Sequence, residues 1–166
     1  MSYNLFIDTE YEDFGGKIFL IGILSSHGEE YALYGTSLRK DFFLKILKNV
    51  NRIFVYGPDA GKIEKHFNIE LKKNYKCINV LSIVRKYLPF MESKGLAHVE
   101  HLLGLQRSTL SFKNNTRDLA THWKNPKLRF GIINYNMEDV VFLECVYNIL
   151  LDFFKFNPDD FRLMPK

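Results

Sequence analysis

Strand-like apolar segments crowd the start of this chain and helical periodicity takes over from Leu38, and that order, more than any other feature, limits the folds open to it. Tyr3 to Asp8 (YNLFID) reads as a buried strand that begins almost at the N-terminus. Gly15-Gly16 marks a turn, and Lys17 to Ser25 (KIFLIGILS) reads as a second apolar strand. Glu30 to Tyr34 alternates and closes a three-stranded meander after the Ser26-His27-Gly28 turn. Leu38, Phe42, Phe43, Ile46, Leu47 and Val50 recur at helical spacing and predict an amphipathic helix over Leu38–Asn49. Arg52 to Tyr56 is a fourth strand stopped by Gly57-Pro58, and Asp59 caps a short helix through Phe67. Cys77 to Asn79 predicts a short fifth strand, followed by helices over Val80–Leu88, Leu96–Leu103, Thr116–Trp123 and Leu128–Phe154. Between the third and fourth of those elements, Gln106 to Asn115 is polar and reads as an exposed loop. A meander that leads into a βα unit and then helices implies an α/β layered domain with a mixed five-stranded sheet and flanking helices, spanning 1–166 as one domain.

Composition closes off several function classes. Apolar residues make up 46% and charged residues 25% of the 166, which excludes a disordered or low-complexity chain. The longest uninterrupted apolar run, Ile18 to Leu24, is far too short to cross a membrane. Asp8 and Glu10 fall where the apolar segment of a signal peptide would lie. Cys77 and Cys145 lack C-x-x-C spacing and read as buried thiols in a reducing compartment, so the expectation is a soluble, cytoplasmic protein. The net charge of +4 is unevenly spread: −5 over residues 1–38, +12 over 39–129 and −3 over 130–166. Such blocks are either solvated helix faces or a carboxylate cluster beside a phosphate-binding surface.

The carboxylates carry the chemistry. Asp8 and Glu10 form an Asp-x-Glu pair at the end of the first strand, and side chains two apart on a strand share a face. Two acids there are costly unless something positive neutralises them, and a hard divalent cation does so through oxygen ligands. Asp59 follows the fourth strand in Tyr-Gly-Pro-Asp, at a strand-to-helix switch, where ordinary N-cap chemistry is the competing explanation. Tyr135 and Asp139 stand four apart on the last helix, so phenol and carboxylate project from one face, while Glu138 points roughly 100° away toward solvent.

Asp-x-Glu on strand one, an Asp after a later strand and Tyr-x-x-x-Asp on a C-terminal helix form an ordered set. In order and element type it resembles the DEDD exonuclease superfamily of the ribonuclease H-like fold, in its tyrosine-bearing subclass, and within it the YprB-type ribonuclease H-like family. The likeness runs through Phe6-Ile7-Asp8-Thr9-Glu10, Gly95-Leu96-Ala97-His98-Val99-Glu100-His101-Leu102-Leu103-Gly104 and Tyr135-Asn136-Met137-Glu138-Asp139-Val140, covering Leu5 to about Leu151. The second motif departs from the family pattern: the acid is Asp59, followed by Ala60, and Glu64 one helical turn on is the reserve ligand.

The resemblance implies a three-layer ribonuclease H-like domain and a two-metal-ion 3′–5′ exonuclease acting on single-stranded DNA or RNA. Asp8, Glu10, Asp59 and Asp139 would hold two Mg²⁺ or Mn²⁺ ions and Tyr135 would orient the attacking water. Arg107, Ser108, Thr109, Ser111, Lys113 and Asn114 are candidates to approach a phosphate backbone, and Tyr11 and Phe14 to stack on a terminal base, with a solvated loop and core packing as the alternatives. Lys62 would neutralise Asp59 or meet a phosphate. His98 and His101 stand three apart on a helix without the further ligands a zinc shell needs. The rival to an active enzyme is a catalytically reduced ribonuclease H-like module that binds nucleic acid or serves a protein partner the sequence does not identify.

Overall fold

The computed structural model describes residues 2–12, 16–108 and 118–165. Strands β1 (Tyr3–Tyr11), β2 (Ile18–Ser25) and β3 (Glu30–Tyr34) form the expected antiparallel meander, and β4 (Val50–Val55) and β5 (Lys76–Asn79) add on the other side of β1, parallel to it and to each other. The sheet is therefore mixed, in the order β3-β2-β1-β4-β5. Helices α1 (Lys40–Ile46), α2 (Asp59–Phe67) and α3 (Leu71–Asn74) pack on one face. Helices α4 (Val80–Tyr87), α5 (Leu96–Leu102), α6 (Leu119–Trp123) and α7 (Pro126–Phe154) lie on the other.

Period-2 alternation divides β1 between the two layers. Leu5 and Ile7 join Phe43, Ile63 and Phe67 on one side, while Phe6 stacks on Phe54 (ring centroids 4.8 Å apart) and packs with Val140, Leu143 and Tyr147 on the other. β2 is buried along its whole length, as its nearly continuous apolar run requires. Central β1 and β2 are thus roofed on both faces, and any polar side chain they carry must find a partner inside the fold.

The 29-residue α7 spans that second layer. Its buried stripe is Ile132, Tyr135, Asn136, Asp139, Val140, Leu143, Val146, Tyr147 and Leu150, and Tyr135, Asn136 and Asp139 bring polar groups into it within five positions. The helix starts two residues earlier than the apolar periodicity predicts, because Asn125 caps it by accepting from the Lys127 amide and Pro126 occupies the first turn. Gly22 lets α7 come close: a Cβ there would lie 2.2 Å from Asn136 Oδ1 and 2.9 Å from Val140 Cγ2. At the C-terminus, Asp159 accepts from Arg52 on β4 and Lys76 on β5, both at 2.7 Å, and these cations hold its carboxyl down to about 2. Cys77 is buried and its thiol is pushed up to about 12, whereas Cys145 is only half-buried, contrary to expectation. Among the described residues no helix is long and apolar enough to cross a membrane.

Candidate active site

The C-terminal ends of parallel β1 and β4, where the layers part, carry the acidic residues. Asp8 and Glu10 point from β1 toward α7, and Asp139 comes down from α7 to meet them. One carboxylate oxygen of each of the three lies within 4.8 Å of the others. Asp59 arrives from the opposite layer, at the start of α2. It is not the helix cap expected from the sequence: Pro58 holds the cap position, and the buried Asp59 carboxylate accepts from Thr9 Oγ1 at 2.7 Å. Thr9, between the two acids of the motif, thus uses the other face of β1 to tie α2 to the strand. Gly57, at φ +86, makes the turn from β4 into α2, and its amide donates to Asn79 Oδ1, which also caps α4.

Asp8, Glu10, Asp59, Tyr135 and Asp139 all line one cavity of about 220 Å³, together with Thr9, Tyr11, Tyr56, Pro58 and Lys62. The reserve ligand Glu64 lies elsewhere: its carboxylate accepts from the Lys72 amide and pairs with Lys72 Nζ, each at 2.8 Å. Lys62 Nζ sits 3.6 Å from Asp59 and 3.2 Å above the Tyr11 ring. Tyr11 is therefore stacked by a side chain of its own protein. Phe14, Thr109, Ser111, Lys113 and Asn114 lie outside the described residues.

Burial is the first influence on the acids of this cavity, and mutual repulsion adds to it at Asp8 and Glu10. Burial, followed by repulsion from Asp139, Asp59 and Glu10, holds Asp8 well above the usual carboxylate range. Burial and the charges of Asp139 and Asp59 push Glu10 up to about 8. Burial raises Asp139 to about 7 although a guanidinium touches it, and burial raises Asp59 against the pull of Thr9 and Lys62. Burial and the Asp139 charge likewise raise the Tyr135 hydroxyl, so it stays a phenol and a proton donor at neutral pH.

Three residues take parts here that the sequence does not indicate. Asn136, next to Tyr135, donates from Nδ2 to Asp8 Oδ2 at 2.7 Å. Arg107, expected in an exposed loop, is buried. Its Nε and Nη2 fork onto Glu100 at 2.6 and 2.5 Å, and Nη2 also donates to Asp139 Oδ1. Glu100 lies between His98 and His101, which are both exposed while Glu100 is 1% exposed. The sequence signal was a charged residue on the apolar face of α5 beside Val99. Glu138 is half-buried and accepts from the backbone and hydroxyl of Ser108, not left to solvent.

A family model of the RNase H superfamily matches residues 5–151. The chain belongs to the RNase H superfamily. No curated protein sequence matches it significantly. Among solved structures it is similar to the family B DNA polymerase of the hyperthermophilic archaeon Pyrobaculum calidifontis, with TM-score 0.73 at 15% identity over 92% of this chain and 25% of that one. It is similar to a nuclease in its apo form, TM-score 0.67 at 13% identity, covering 91% and 72% of the two chains. It is also similar to Brucella melitensis NrnC with bound Mg²⁺, TM-score 0.65 at 16% identity over 93% and 76%. The chain thus spans a quarter of the polymerase and about three quarters of the two nucleases, and the shared feature is the RNase H-like fold.

Proposed function

We propose that this chain is a divalent-metal-dependent 3′–5′ exonuclease acting on single-stranded nucleic acid, of the tyrosine-bearing DEDD type and nearest to the YprB-type family. The observation that carries the reading is the meeting of Asp8, Glu10 and Asp139 oxygens within 4.8 Å, in a cavity that Asp59 and Tyr135 also line. The donor set fits Mg²⁺ or Mn²⁺. Every ligand atom is a hard carboxylate oxygen, burial raises all four acids, and Lys62, 3.6 Å from Asp59, does not offset it. Asp8, Glu10, Asp59 and Asp139 would hold two such ions.

When bound, divalent ions lower the pKa of water and stabilise charge on a leaving oxygen. The residues of the chain supply the rest. Asn136 fixes one oxygen of Asp8 and Thr9 fixes one oxygen of Asp59, so a carboxylate of the sheet and one of α2 are held before substrate arrives. Tyr135, a neutral phenol at the cavity wall, donates or accepts one hydrogen bond to the attacking water and sets its line of approach. The RNase H fold and nuclease neighbours support a nucleic acid as substrate, and a strand end needs only phosphate contacts and stacking, with no base-edge readout.

A 5′-labelled single strand incubated with Mn²⁺ or Mg²⁺ tests the proposal. The expected result is a ladder shortening from the 3′ end, dependent on the ion and lost in Asp139→Ala. A strand that is bound and left intact would instead identify the nucleic-acid-binding accessory module.

A further inference from the structure

Arg107 is buried, with 2% of its side chain exposed; Glu100 is equally enclosed and the Asp139 side chain is 11% exposed. It spans two acids from different elements: Glu100 on α5, bound through Nε and Nη2, and Asp139 on α7, bound through Nη2. Its remaining nitrogen, Nη1, has no hydrogen-bond partner among the described residues, so every bond it makes there goes to this pair. The guanidinium also lies over the rings of Tyr135 and Phe142, at 5.1 and 5.5 Å from their centroids.

Glu100 already neutralises Arg107, so the guanidinium adds no net charge to the cavity and does not replace a divalent cation. A planar fork that is bonded along one edge to Glu100 has a fixed direction for its Nη2 donor. That direction pins Asp139 Oδ1 and leaves Oδ2 as the oxygen free of this bond. A structural ion pair would need only Glu100 and Arg107. The third bond places the pair behind a residue of the acidic cluster.

We infer that Glu100 and Arg107 are positioning residues of the metal centre: Glu100 orients Arg107, and Arg107 holds Asp139 by one oxygen so that the other is presented to a divalent cation shared with Asp8 and Glu10. This rests on the metal-dependent reading above. Partners that orient a metal ligand from behind typically contribute about 10–100-fold in metal affinity.

Calorimetric titration with Mn²⁺ in the absence of nucleic acid measures this directly. Removing Arg107 alone strands a buried Glu100, so the variant of choice is the double Glu100→Met/Arg107→Met, because apolar replacement of a whole buried ion pair is often neutral for stability. The expected result is a folded protein with a Mn²⁺ dissociation constant raised about 10–100-fold. Arg107→Lys keeps the charge beside Glu100 and loses the fork. It is expected to bind Mn²⁺ at least several-fold more weakly than wild type, where a role confined to charge neutralisation would be rescued. Wild-type Mn²⁺ affinity in a folded double variant, or in Arg107→Lys should the double variant not fold, would overturn the inference while leaving the metal site standing. A wild-type protein that takes up no Mn²⁺ would overturn both.

Discussion

At the scale of single residues, carboxylates and a phenol share the wall of a single cavity. Asp8, Glu10 and Asp139 crowd their oxygens together, whereas Tyr135 is a buried phenol at the same wall, held neutral by burial and the neighbouring acids. If Tyr135 orients water and binds no ion, Tyr135→Phe keeps Mn²⁺ affinity and strand binding and slows single-turnover hydrolysis on the order of 10²–10³-fold, the usual worth of one positioned hydrogen bond in a preorganised site. Asp139→Asn instead damages ion binding and turnover together. The competing role for Tyr135 is packing, since it sits in an apolar cluster with Phe19, Leu20, Leu119 and Ile132. A Tyr135→Phe protein as fast as wild type at saturating Mn²⁺ would assign it to that cluster alone.

At the scale of elements, close approach of α7 to the meander decides whether the acids meet. Gly22 is paired with Asp8 across β1 and β2, and the space its missing side chain leaves is taken by Asn136, which bonds Asp8. Gly22→Ala is therefore expected to lower stability by about 1–3 kcal/mol through overpacking and to loosen Asn136 from Asp8. Denaturant melts read the first effect, and a weaker Mn²⁺ response reads the second. Unchanged values in both would show that α7 shifts at no cost. This glycine was visible in the sequence only as a member of an apolar strand, because the helix that needs it lies 114 positions on at Asn136. The elements themselves were legible: alternation and apolar runs locate all five strands, and α2 falls on Asp59–Phe67 as expected. The four-residue α3 was not, since one turn carries no periodicity and its amide at Lys72 is satisfied by Glu64 from α2. The burial of Arg107 was equally illegible. Its partners stand 7 and 32 positions away, and nothing in a polar segment distinguishes a solvated arginine from one drawn into a core.

At the scale of the whole molecule, the acidic cluster makes folding itself sensitive to protons and cations. Asp8 and Asp59 are raised, Glu10 lies near about 8 and Asp139 near about 7, all above the values of roughly 4 that such groups have in an unfolded chain. The folded protein therefore retains protons that the unfolded chain has released. The stability these groups contribute is full below about pH 4 and is lost as pH rises through 7 to 8. His66, held below its ordinary value by burial and by Lys17, acts in the opposite direction near neutrality, so the comparison with a site variant is the quantity to read. A divalent cation that binds only the folded state restores what ionisation removes. The decisive measurement is the melting temperature of wild type and Asp8→Asn at pH 6 and pH 8, with and without Mn²⁺. Metal-free wild type is expected to melt lower at pH 8 than at pH 6 relative to Asp8→Asn. Mn²⁺ is expected to raise the wild-type melting temperature more at pH 8, and the variant to lose most of that increment. A wild-type melting temperature that responds to neither pH nor Mn²⁺ any differently from Asp8→Asn would contradict a metal centre at this cavity.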